Sequence, residues 1–125
     1  MDKIKPTILY VDDEEINLRT FRNTFRRKYK VVTQNSGKLA IEYLKENEVD
    51  LVITDQRMPN MSGVELLSKI HQMLPQVPPG RLMVSGYSEP EEIEKAFKDY
   101  GLFKFISKPW DANELDKVFK EVLNI

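Results

Sequence analysis

Five short apolar runs alternate with stretches whose apolar residues recur at helical spacing, and this alternation constrains the fold more than any other feature of the chain. The runs are TILYV (7–11), YKVVTQ (29–34), LVIT (51–54), RLMV (81–84) and LFKFIS (102–107). Between them lie helical faces: Leu18, Phe21 and Phe25 within 14–28, then Leu39, Ala40, Tyr43 and Leu44 within 38–47. Val64, Leu67 and Leu74 follow Ser62, and Ile93, Ala96 and Phe97 follow Pro90. A last helix carries Leu115, Val118, Phe119 and Val122. Such periodicity separates helix from strand. Strands joined through helices must run parallel, with right-handed crossovers. LVIT is apolar almost throughout, as a strand covered on both faces requires.

The expectation is an α/β fold: a five-stranded parallel sheet, doubly wound as (βα)5, with the flavodoxin-like strand order 2-1-3-4-5. The punctuation agrees. SGVE (62–65) and SEPE (88–91) read as capping boxes, DANE (111–114) caps the last helix, and Gly101 supplies a left-handed helix stop,. The 125 residues contain no repeat or Gly/Ser linker, so residues 1–125 are read as one domain,. With no cysteine, disulfides and thiolate metal sites are excluded,. The net charge of −1 gives no general affinity for nucleic acid or anionic membrane,. No apolar run approaches the ~18 residues of a membrane span, and MDKIKPTILYVDDEE is too poor in apolar residues for a signal peptide,. The protein is expected to be cytoplasmic.

Doubly wound sheets bind ligands beyond the carboxyl ends of their strands, where the winding reverses. In this order that crevice lies between strands one and three. Asp12, Asp13 and Glu14 follow strand one, and Asp55 follows strand three. Ser85 and Gly86 follow strand four, Lys108 and Pro109 follow strand five, and strand two ends in the uncharged Asn35, Ser36 and Gly37. Each feature has a bland reading: an acidic pair opens a helix well, an aspartate starts a turn, and Ser-Gly is a common loop pair. Their conjunction carries the weight, because three carboxylates and a lysine converge on one edge. Two carboxylates about 4 Å apart repel by roughly 4 kcal/mol at an effective dielectric near 20, so a cation is expected among them. Hard oxygen ligands without nearby His or Cys favour Mg²⁺. An ammonium, a hydroxyl and a backbone amide beside one exposed carboxylate suit phosphoryl transfer to a carboxylate nucleophile.

At these spacings YVDDE (10–14), VITDQRMPNMSGVELL (52–67), MVSGY (83–87) and FKFISKPW (103–110) together resemble the CheY-like receiver domains of response regulators, from about Lys5 to the end of the chain. The DQRMP and KPW spellings resemble receivers joined to HD-GYP phosphodiesterase or hydrogenase-regulator outputs. The resemblance implies two-component signal transduction, with Asp55 as phosphoacceptor and Asp12 and Asp13 as Mg²⁺ acids. The Asp55 carboxylate and the Arg57 backbone carbonyl would complete the protein ligands. Ser85 and Gly86 would meet the phosphoryl group, and Lys108, preceding a cis Pro109, would contact phosphate. Ser85 and Phe105 would form the switch, although phenylalanine lacks the hydroxyl of the tyrosine common at that position. Met58 and Pro59 would shape the loop after the acceptor, and Gly63 would ease its turn. Arg57 and Tyr87 flank the site and bear on water access.

The donor implied is a phosphohistidine on a sensor histidine kinase or a histidine phosphotransfer protein. The response would be a change in the surface of helix four, strand five and helix five that controls an output domain or partner, with homodimerisation on phosphorylation as a further expectation. Direct nucleic-acid or membrane binding by this domain is not expected. Nor is enzymatic activity beyond its own phosphorylation and dephosphorylation. Arg19, Arg22 and Arg26 read as a solvated helix face or a partner contact, His71 as a surface residue, and Trp110, Met58, Met61, Met73 and Met83 as packing. Three rivals remain in view. A flavin module would need a hydroxyl- and glycine-rich loop where DDEE stands. A haloacid-dehalogenase-type phosphatase would carry its acceptor after strand one, with a second Asp two residues on, where Glu14 stands. The third is a receiver-like interaction module that works without phosphate.

Overall fold

The computed structural model describes residues 5–75, 80–86 and 89–125. Tyr87 and the cap expected at Ser88 lie outside them. Five strands alternate with five helices: β1 Thr7–Val11, α1 Glu15–Phe25, β2 Lys30–Gln34, α2 Gly37–Glu46, β3 Leu51–Asp55, α3 Gly63–Met73, β4 Arg81–Ser85, α4 Pro90–Asp99, β5 Lys104–Ser107 and α5 Ala112–Leu123. All neighbours pair in parallel, in the order β2-β1-β3-β4-β5. This is the flavodoxin-like arrangement expected for a chain of this size and element count,.

The strands are apolar on both faces because helices cover both. Leu9, Val11, Val52 and Met83 face a core completed by α2, α3 and α4 through Ala40, Ile41, Leu44, Leu66, Leu67, Ile70, Ile93 and Ala96. Ile8, Tyr10, Ile53, Leu82 and Val84 face a second core, closed by Leu18, Phe21 and Phe25 of α1 and Leu115 and Phe119 of α5. The second core is strongly aromatic. Tyr10 stacks on Phe21 at 4.2 Å between ring centroids, Phe119 packs edge-on against Phe25 at 5.1 Å, and the Trp110 ring lies 5.6 Å from that of Phe25. Trp110 thus packs where α5 begins.

Two helical faces differ from the sequence expectation. Leu39 and Phe97 are 41% and 44% exposed. On α2 the buried stripe is Ala40, Ile41 and Leu44; Leu39 lies one step round the helix, on the side away from Ile41. On α4 only Ile93 and Ala96 reach the core, and a helix that also leans on α3 keeps a narrow apolar stripe.

Local signals fix the element ends. Ser62 accepts from Glu65 N at 3.1 Å while Glu65 Oε1 accepts from Ser62 N at 2.9 Å, a complete capping box,. Asp111 caps α5 through Glu114 N. Gly101 sits at φ 72°, the left-handed stop anticipated after α4,. Gly63 answers a different demand: a Cβ there would collide with the backbone carbonyl of Asp55. Only glycine lets α3 start so close to the end of β3.

Candidate functional site at the carboxyl edge of the sheet

The parallel register sets the strand ends side by side. Val11 pairs with Thr54, Asp55 with Val84, and Ser85 with Ser107. The residues that follow β1, β3, β4 and β5 therefore share one edge. Asp12, Asp13 and Asp55 each present a carboxylate oxygen within 4.8 Å of the others. Lys108 Nζ lies 2.9 Å from Asp55 Oδ1 and 3.4 Å from Asp12 Oδ2. The Lys108–Pro109 bond is cis. Lys108 N donates to Ser85 O at 2.9 Å, tying the ends of β4 and β5 together beside the acids.

The three acids differ in setting. Asp12 is fully buried. Its oxygens accept from the Tyr10 hydroxyl at 2.6 Å, Glu14 N at 3.0 Å and Asn17 Nδ2 at 3.2 Å. Asp13 is exposed, but Asp55, expected to be an exposed carboxylate, is only 6% exposed, because it is the last residue of the buried central strand β3. Burial pushes the Asp55 carboxyl above its ordinary range and the Asp12 charge adds to this, against the partial relief of Lys108,. Burial works against the Lys108 ammonium too, but Asp55 and Asp12 outweigh it and raise its pKa. The site thus holds more negative charge than one ammonium satisfies. Hard carboxylate oxygens this close fit a small divalent cation.

The other expected residues surround this centre. Ser85 is buried at the end of β4 and Gly86 is exposed just beyond it. Phe105, paired with Met83 in the sheet, is half-buried against the α2–α3–α4 core. The exposed Arg57 side chain pairs with Glu89 at 3.6 Å. His71, Arg19, Arg22 and Arg26 are on the surface, and Met73 is exposed rather than packed.

Three contributors were not singled out from sequence. Tyr10 and Asn17 hold Asp12, and Gln56 organises the loop after Asp55. Gln56 is 3% exposed; its Oε1 accepts from Val64 N at 2.8 Å and its Nε2 donates to Glu92 Oε2 at 2.9 Å. A polar residue immediately after a buried strand was the available signal for Gln56. Tyr10 and Asn17 read as ordinary strand and helix residues.

The sequence matches the family model of the response regulator receiver domain over residues 8–120. The chain belongs to the response regulator receiver family. It is a signalling domain of two-component systems. This receiver domain is 34% identical to the hydrogenase transcriptional regulatory protein HoxA of Bradyrhizobium diazoefficiens over 98% of its own length and 25% of that protein. It is 32% identical to the transcriptional regulatory protein ZraR of Escherichia coli K12, over 93% of itself and 26% of ZraR. The receiver thus spans about a quarter of these relatives. Among solved structures, the signal receiver domain of an HD domain-containing protein from Pseudomonas fluorescens Pf-5 superposes with a TM-score of 0.88 at 31% identity, covering 96% of this chain and 95% of that one. A CheY-like receiver from Methanospirillum hungatei JF-1 gives 0.88 at 27% identity, covering 98% and 95%. Among the described residues no helix is long and apolar enough to cross a membrane.

Proposed function

We propose that this receiver accepts a phosphoryl group on Asp55 from a phosphohistidine of a sensor histidine kinase or histidine phosphotransfer protein, and that Mg²⁺ assists. The observation that carries the reading is the Lys108 ammonium 2.9 Å from Asp55 Oδ1, inside a cluster whose three carboxylates lie within 4.8 Å of one another. Asp12, Asp13, Asp55 and the Arg57 carbonyl would hold the ion. It would supply positive charge opposite the oxygens of the transferring group.

The chain's own residues supply the rest. An Asp55 oxygen attacks phosphorus in line; the P–O bond forms as the P–N bond breaks, and the electron pair stays on the donor imidazole. Lys108 then exchanges part of its bond to the carboxylate for phosphoryl oxygens, and most of the catalysis is positioning and electrostatics. Asp12 is fixed by its three hydrogen bonds, so Asp13, at the surface, is the acid that adapts. Ser85 turns its hydroxyl to the phosphoryl group, Gly86 offers its backbone amide, and Phe105 occupies the space vacated, altering the α4–β5–α5 surface. That surface controls an output domain or partner, by contact or by homodimerisation. Relatives about four times as long, two of them named transcriptional regulators, favour an output domain. The domain is taken to act in the cytoplasm without binding nucleic acid itself.

The test is incubation with acetyl phosphate and Mg²⁺, followed by intact mass measurement. One added phosphoryl group is expected on the wild-type protein and none on Asp55→Asn. Undiminished labelling of Asp55→Asn overturns the assignment. A wild-type protein that is never labelled favours the phosphate-independent interaction module.

A further inference from the structure

We propose that Gln56 is a positioning residue that couples the acceptor loop to α4 through its amide bond to Glu92. The proposal rests on Asp55 being the phosphoacceptor. Gln56 directly follows Asp55, is buried, and is held at three points. Its backbone carbonyl accepts from Gly63 N at 2.9 Å and its side-chain oxygen accepts from Val64 N at 2.8 Å. Both donors belong to the first turn of α3, where backbone N–H groups have no partner within the helix. The third point is on another element: Gln56 Nε2 donates to Glu92 in the first turn of α4 at 2.9 Å.

One amide therefore joins the residue after the acceptor to two helices. Its acceptor on α4 is a carboxylate, which makes this bond stronger than a neutral pair. A displacement of the loop at Asp55 must either stretch this bond or carry the start of α4 with it. The neighbouring Arg57–Glu89 pair runs between the same two elements, but both side chains are more than half exposed and it contributes little. A residue that only filled space would need neither end of the amide. Here both ends are used, and they are used on different helices.

The experiment follows amide chemical shifts of the 125-residue chain when Mg²⁺ and beryllofluoride, a phosphoryl mimic, are added. The proteins compared are wild type, Gln56→Ala, Glu92→Ala and Glu92→Gln. Wild type is expected to respond at Asp13 and Met58 in the loops and at Ile93 and Ala96 in α4. In Gln56→Ala and Glu92→Ala the loop response persists, while the α4 response falls roughly two-fold or more. Glu92→Gln, whose amide oxygen still accepts, restores it. Loop shifts with an unchanged α4 response in Glu92→Ala overturn the coupling while leaving the acceptor reading intact. Glu92 is exposed, so this variant decides the matter even if Gln56→Ala does not fold. A wild type silent at Asp13 and Met58 overturns the acceptor reading, and the coupling with it.

Discussion

At the residue scale, Lys108 and the proposed divalent cation would compete for the same negative charge. Lys108 Nζ touches both Asp55 and Asp12, so truncating it leaves those carboxylates freer for a metal while removing a cation from the transferring group. Lys108→Ala should therefore bind Mg²⁺ several-fold more tightly and yet accept phosphate from acetyl phosphate roughly 100-fold more slowly. Calorimetry and labelling kinetics on one preparation check the opposite signs. Tyr10 is a simpler case. Burial, then its bond to Asp12, pushes its phenol far above the ordinary value, so it remains a donor at any physiological pH. Tyr10→Phe removes that 2.6 Å bond and should cost about 1 kcal/mol in urea unfolding. The charged members of the edge were legible in sequence because each directly follows a recognisable strand. Tyr10, Asn17 and Gln56 were not, because a neutral side chain's role depends on what the fold sets opposite it.

At the element scale, the helices are held by stripes and caps of known worth. Phe119 is fully buried among Phe21, Phe25 and Tyr29. Phe119→Ala should cost about 3–5 kcal/mol, read from the denaturation midpoint. Ser62→Ala breaks the capping box of α3 and should cost about 1 kcal/mol. The far end of α1 is tied to α5 by Asp116, which accepts from Tyr29 at 2.6 Å and pairs with Lys28 and Lys120. Burial alone would raise the Asp116 carboxyl, but these partners outweigh it and lower its pKa. A lowered carboxylate contributes stability that is complete above its unfolded value and is lost as pH falls through the folded one. Both lysines are at least half exposed, which discounts their share. Asp116→Asn should cost about 1 kcal/mol near neutral pH and should flatten the loss of stability below pH 3.8, the ordinary value of this carboxyl. Element order was readable because a short apolar run gives way to a 3.6-residue period five times over. Leu39 and Phe97 were misplaced because periodicity locates a stripe without fixing its width, which depends on how each helix leans on its neighbour.

At the scale of the whole molecule, four of the five parallel strands, in register, deliver residues 12, 55, 85 and 108 to one rim, although 96 positions separate Asp12 from Lys108. The parallel sense follows from the alternation of elements, and the strand order was expected because a chain of this size and element count suits the flavodoxin-like arrangement. The register, which decides whether the acids touch or merely share a side, was visible only in three dimensions. The central claim is that this rim is a single divalent-cation site with charge to spare. A calorimetric titration of the metal-free protein with Mg²⁺ tests it most directly. The account predicts one site in the wild type, weakened roughly ten-fold or more in Asp13→Asn. Absence of Mg²⁺ binding, or equal affinity in Asp13→Asn, would contradict it.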